Sequence, residues 1–236
     1  MNFLANLLTS ISLLLGFASI LFSLRHDFTF ACWSIIAAVV LDGLDGQVAR
    51  RNPLPSPFGK ELDSLVDVVS FGIAPAILGY TFIYRDLYLY ALAVLFLYLF
   101  CSVVRLAKYN ITPKEELKNY FYGLPTTASG GILASFIFIF RKKEGILLPA
   151  YLPALFMCLA LALAALMVSR ARYLNLDGFK ELLGGKRRFL LVPLALLLAL
   201  ALFLRKAGIS IFTLFLIYLL FSPFVVKRLN RKLQPR

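Results

Sequence analysis

The chain has 236 residues, 61% of them hydrophobic, and a mean hydropathy of +0.83. Its apolar residues run in blocks of about 20 uninterrupted by charge, the length that spans a bilayer core, which excludes a soluble globular fold. The net charge of +13 does not indicate nucleic acid: the basic residues lie between apolar blocks and at the C-terminus (Lys227, Arg228, Arg231, Lys232), where they meet anionic headgroups, and no nucleic-acid module is visible.

Backbone polar groups inside a bilayer must pair within their own segment, so the blocks are predicted to be helices. In chain order they are Phe3–Leu24, Phe28–Arg50, Glu61–Phe82, Leu87–Tyr109, Gly123–Phe140, Pro149–Val168, Phe189–Leu204 and Ile209–Val226. The expected fold is therefore an all-α polytopic membrane bundle of about eight transmembrane helices, with six as the alternative count. Met1 to Leu24 contains no Lys or Arg, so it reads as the first membrane helix and not as a cleavable signal. Cys32, Cys101 and Cys158 lie far apart, each within an apolar block, and read as packing residues. No internal repeat or change of composition divides the chain, which reads as one membrane domain over residues 1–236, with the last two helices (189–226) accessory.

Connections after even-numbered helices, together with the C-terminal tail, carry 17 of the 25 Lys and Arg residues, and those after odd-numbered helices carry 7. This asymmetry predicts that both termini face the cytoplasm. The cluster Arg141–Lys143 falls on the outer side in this scheme.

The informative stretch runs from Leu41 to Gly72. Asp42 and Asp45 lie three apart near the cytoplasmic end of the second helix, and Asp63 and Asp67 lie four apart near the start of the third. Both spacings place the pair on one helix face. A short loop, stiffened by Pro53, Pro55 and Pro57, makes the two helices antiparallel neighbours, so the pairs face one site. Each acid at the middle of a membrane helix costs roughly 2.5–3.5 kcal/mol, less near an interface. Arg50 and Lys60 are too few to neutralise four, and bound cations do so better. Oxygen ligands with no His or Cys nearby select hard ions, Mg²⁺ or Mn²⁺, with Ca²⁺ admitted by the same chemistry. Four carboxylates bridge two such ions, the arrangement used in phosphoryl transfer. Gly43, Gly46 and Gly59 leave room for close approach of a ligand, and Arg50 offers a planar fork to phosphate oxygens.

The pattern Asp42-Gly-Leu-Asp45-Gly46-Gln-Val-Ala49-Arg50, followed after eight residues by Gly59-Lys-Glu-Leu-Asp63-Ser-Leu-Val-Asp67, resembles the signature of the CDP-alcohol phosphatidyltransferases, with all its fixed positions present. The resemblance implies a membrane bundle, usually a homodimer, with its active site open to the cytoplasmic leaflet of the cell (inner) membrane. It implies that Asp42, Asp45 and Asp63 are metal ligands and that Asp67 ligates or acts as general base. Asp42, Gly46, Ala49, Arg50 and Gly59 would form the CDP pocket. Ser70-Phe-Gly-Ile-Ala-Pro-Ala76, Arg105-Leu-Ala-Lys-Tyr-Asn110, Tyr122-Gly-Leu-Pro-Thr126, Leu166-Met-Val-Ser169 and Asn6-Leu-Leu-Thr9 with Gly16 resemble the serine-accepting branch. Lys108 and Tyr109 stand where that branch usually has Arg and Phe.

The implied reaction moves a phosphatidyl group from CDP-diacylglycerol to L-serine, releasing CMP. Direct displacement by the serine hydroxyl, with Asp67 removing its proton, competes with a phosphatidyl-enzyme formed on a carboxylate. Arg105 lies inside an apolar block one turn from Lys108, and an intramembrane cation is a candidate for the serine carboxylate. Asn110 and Ser70 are further candidates for hydrogen bonds to the acceptor. Alternatives are glycerol 3-phosphate or an inositol phosphate as acceptor, and an ether-linked isoprenoid donor. A cation transporter would place acids near the bilayer midplane, whereas here they gather at one membrane face.

Overall fold

The computed structural model of the chain describes residues 3–50, 57–83, 88–113, 120–140, 149, 151–175 and 207–233. The helices are α1 (Phe3–Leu24), α2 (Phe28–Arg50), α3 (Pro57–Asp67), α4 (Ala74–Phe82), α5 (Tyr88–Ile111), α6 (Thr126–Phe140), α7 (Leu152–Val168) and α8 (Ala207–Leu233). A π-helical segment, Val68–Ile73, joins α3 to α4 without a break. Among the described residues, five spans are long and apolar enough to cross a membrane: Leu4–Leu24, Phe28–Gln47, Pro57–Phe82, Leu89–Ile111 and Gly208–Lys227. The shorter α6 and α7 are equally apolar. Seven of the eight predicted helices are thus present, and the chain is an all-α multi-pass membrane bundle. The predicted helix Phe189–Leu204 lies outside the described residues, as do Arg141–Lys143, Pro53 and Pro55.

The hub of the bundle is α6. Nearly its whole length is buried, from Thr126 to Phe138, because α2, α4, the π segment, α7 and α8 all pack around it. A helix apolar on every side has no solvent or lipid face to present, and this one also carries the small residues that let neighbours approach. A Cβ on Gly130 would stand 3.1 Å from the Phe71 Cα in the π segment. Gly131 faces the ring of Phe215 on α8 with no room for a methyl group. Both glycines are packing residues. On the other side of the π segment, Gly16 of α1 closes against Ser70, whose Oγ a Cβ would approach to 2.5 Å.

The π segment is the feature that helical periodicity did not predict. Its wider turn sends the Ala74 N–H back five residues to the Val69 carbonyl, which disturbs the regular ladder and leaves carbonyls in need of other donors. Tyr98 on α5, fully buried, donates to the Phe71 carbonyl at 2.9 Å, and Ser70 donates to the Ser12 carbonyl on α1 at 3.1 Å. The segment is therefore pinned on two sides immediately beyond Asp67.

Two short strands were not anticipated either. β1 (Tyr120–Tyr122) precedes α6 and β2 (Arg172–Leu174) follows α7; they pair antiparallel with Phe121 opposite Tyr173. Gly123, at φ 74°, turns the chain from β1 into α6, and its N–H donates to the Ala171 carbonyl at 2.8 Å. A side chain is disfavoured in that left-handed conformation.

Packing at Gly130 and Gly43 predicts opposite outcomes. Gly130→Val should cost about 1–3 kcal/mol through overpacking against Phe71, read as a lower melting temperature in detergent. Gly43→Ala should be neutral or gain up to about 1 kcal/mol of helix propensity, because a Cβ there meets nothing within 4 Å. Tyr98→Phe should cost about 1–3 kcal/mol by orphaning a buried carbonyl.

Candidate active site

The carboxylates sit where α2 ends and α3 begins. Helix α1 packs along both helices and holds them together. Asp42, Asp63 and Asp67 converge: each offers an oxygen, and these oxygens lie within 4.8 Å of one another. The carboxyl groups of Asp42 and Asp67 are in hydrogen-bonding contact. Two carboxyl groups so close must share a proton or a cation, since bare like charges at that distance repel strongly.

Asp45, the fourth predicted ligand, is not among those three. It is 4% exposed, lies within electrostatic reach of Asp63 and Asp42, and accepts a hydrogen bond from Thr9 Oγ1 of α1 at 3.0 Å. The Gly46 backbone also bonds to its carboxylate. The sequence pointed to Asn6-Leu-Leu-Thr9 without a role for it; the fold places Thr9 against the second acid of the pair. Gly46 lies in the last turns of α2 and Gly59 in the first turn of α3, at the same end of the bundle as the acids. Ala49 and Arg50 belong to the last turn of α2, and their side chains lie outside the described residues.

The residues present fit hard divalent cations. Three oxygen donors lie within chelating distance in a partly buried setting, and the Gly43 position beside Asp42 opens onto free space. Among the described residues Arg105 is a cation within electrostatic reach of Asp67, and it offers one positive charge against three acids. Lys60, expected nearby, donates instead to the Asn110 carbonyl at 2.9 Å.

Arg105 comes from α5 and is 7% exposed. Its Nη1 lies 3.4 Å from Thr126 Oγ1, and its guanidinium stands 5.3 Å from the centre of the Tyr109 ring and 5.8 Å from that of Phe121. Its Nε is buried with no hydrogen-bond partner among the described residues. A buried, unmatched guanidinium donor is costly unless an anion completes it. Arg105 also lines a cavity of about 380 Å³, together with Lys108, Tyr122, Ser169, Arg170 and Arg172. Arg105 thus lies within electrostatic reach of Asp67 and also lines a basic pocket.

Arg170 and Arg172 are pocket residues that the sequence left without a role. The signal was the alternation Arg170-Ala-Arg172, which a period of two places on one side of an extended segment. Ser70 and Asn110, expected as acceptor contacts, sit elsewhere in the site's framework. Ser70 is buried against α1. Asn110 ties the end of α5 to α3, its Nδ2 donating to Ser64 Oγ at 2.9 Å.

The model of the CDP-alcohol phosphatidyltransferase family matches residues 2–168. A CDP-diacylglycerol–serine O-phosphatidyltransferase of Helicobacter pylori is 35% identical over 215 residues, covering 90% of this chain and 87% of its own. An archaetidylserine synthase of Methanothermobacter thermautotrophicus is 35% identical over 181 residues, 74% of this chain and 71% of its own. The Saccharomyces cerevisiae CDP-diacylglycerol–serine O-phosphatidyltransferase is 32% identical over 58% of this chain and 54% of its own. The region matched by the family model includes all four aspartates and Arg105, and the chain belongs to the CDP-alcohol phosphatidyltransferase family.

Proposed function

We propose that this chain transfers a phosphatidyl group from CDP-diacylglycerol to the hydroxyl of L-serine, yielding phosphatidylserine and CMP. The observation that carries this reading is Arg105: a buried cation within electrostatic reach of Asp67 that also lines a basic cavity. It supplies the point at which a small carboxylate-bearing alcohol is held beside the acids. The relatives named CDP-diacylglycerol–serine O-phosphatidyltransferase and archaetidylserine synthase match 90% and 74% of the chain.

Asp42, Asp63 and Asp67, with Asp45 adjoining, are the residues that would hold two divalent cations, Mg²⁺ or Mn²⁺. Such ions supply positive charge against the pyrophosphate and the departing CMP. Around them the chain's own groups set the geometry. Arg105 and Lys108 bind the serine carboxylate by charge-assisted hydrogen bonds. This points the serine hydroxyl toward Asp67, which removes its proton. The serine oxygen forms a bond to the phosphorus bearing the lipid, the bond from that phosphorus to the CMP oxygen breaks, and CMP leaves with the electron pair. Gly46, Gly59, Ala49 and Arg50 form the rim that takes the cytidine diphosphate. Tyr98 and Ser70 act through the π segment, fixing the turn on which Asp67 sits. The orientation that puts this end of the bundle at the cytoplasmic leaflet rests on the distribution of Lys and Arg. A homodimer is the assembly the family resemblance favours.

Purified enzyme in detergent should release CMP from CDP-diacylglycerol with serine, and not with glycerol 3-phosphate or inositol phosphate. Chelation of divalent cations should abolish release, with recovery on adding Mg²⁺ or Mn²⁺; activity surviving full chelation would sink the carboxylate assignment. Asp67→Asn should lower kcat by about 10²–10⁴ while CDP-diacylglycerol still binds. Arg105→Ala should raise the KM for serine at least tenfold more than that for CDP-diacylglycerol. Chiral phosphate labelling should show inversion, and net retention would establish a covalent intermediate instead.

A further inference from the structure

The last helix carries no part of the signature, yet it grips the wall of the basic pocket. β2 runs past that pocket with Arg172 on its lining, and Arg170 two residues before it also lines the pocket. Both backbone groups of Leu174, at the end of β2, are bonded to α8. The Leu174 N–H donates to Ser222 Oγ, and Tyr218 Oη donates to the Leu174 carbonyl at 3.1 Å. Between them, the buried Tyr173 ring packs 6.1 Å from the Tyr218 ring. Tyr218 also lies within electrostatic reach of Arg105. On the other edge, β1 pairs with β2, and its Tyr120 and Tyr122 rings hold the Arg172 guanidinium at 4.8 Å and 5.8 Å from their centres.

A strand of three residues paired to one other strand is not stable alone. Its place is set by the elements it is fastened to. Here the fastening saturates both polar groups of a buried residue, and a buried carbonyl or amide left without its partner costs more than an ordinary hydrogen bond contributes.

We propose that Tyr218 and Ser222 are positioning residues of the basic pocket: by clamping Leu174 they hold β2, and with it Arg170 and Arg172, opposite Arg105, so that α8 sets the affinity for the anionic acceptor. This rests on the assignment of the pocket to the acceptor. The C-terminal helix is then a component of acceptor recognition and not a membrane appendage.

The test uses the full-length enzyme and separates the KM for serine, the KM for CDP-diacylglycerol and kcat. Tyr218→Phe and Ser222→Ala are each expected to raise the serine KM about threefold to tenfold, with the other two parameters within twofold. Ser222→Thr, which keeps the hydroxyl, is expected to restore the serine KM. Arg105→Ala is run alongside as the probe of the pocket itself. If Arg105→Ala raises the serine KM and neither α8 variant does, the clamp is overturned while the pocket assignment stands. If Arg105→Ala leaves the serine KM unchanged, the pocket assignment falls and the clamp with it. If both KM values, kcat and the melting temperature of the α8 variants deteriorate together, the role is structural only and the proposal fails.

Discussion

Acid groups brought within hydrogen-bonding distance inside a membrane bundle form an arrangement that cannot exist on its own. Asp42 and Asp67 touch, Asp63 lies beside them, and Asp45 is buried one turn along. Mutual repulsion and loss of hydration both act to push these groups apart or to drive protons onto them. The fold holds them together regardless, and the surrounding structure is legible as the apparatus for doing so. Helix α1 lies against α2 and α3 and hands a hydroxyl to Asp45 through Thr9. The start of α3 is tied to the end of α5 by Lys60, Ser64 and Asn110. The π segment is clamped from α1 and α5.

That clamp explains why the bundle is packed around α6. A π turn widens the helix and displaces the residues beyond it, and it survives only where neighbours satisfy the loosened backbone. Gly130 lets α6 come within van der Waals contact of Phe71, while Tyr98 reaches the same residue's carbonyl from α5. The small residues of α6 and the buried phenol of Tyr98 on α5 therefore act on the same few residues beyond Asp67. Packing in the middle of the membrane and chemistry at its edge are parts of one arrangement.

Arg105 links that acid centre to the pocket formed by the ends of α5 and α7 and by the strand pair. An arginine retained at this depth is costly, and its surroundings meet the cost only in part: two aromatic faces, a long contact to Thr126 and the charge of Asp67 leave Nε without a partner among the described residues. The residual demand for an anion, at the junction of an acidic and a basic region, is what gives the site a direction.

Legible in the amino-acid sequence were the membrane bundle, the sharing of one helix face by Asp42 with Asp45 and by Asp63 with Asp67, and the oddity of Arg105 as a cation within an apolar block. Each of these depends on local periodicity or on the cost of charge in lipid, and both are properties of a short stretch of chain. Only the tertiary structure decided that three of the four acids converge while Asp45 turns to Thr9. It likewise decided that Ser70 and Asn110 brace the framework, that the chain passes through a π turn beyond Asp67, and that Arg170 and Arg172 join Arg105 through strands of three residues. These depend on contacts between residues distant in sequence, such as Leu174 with Tyr218 and Ser222, or Gly130 with Phe71. A π turn and a three-residue strand have no periodicity of their own to read, because they persist only where remote partners supply the hydrogen bonds that the local chain lacks.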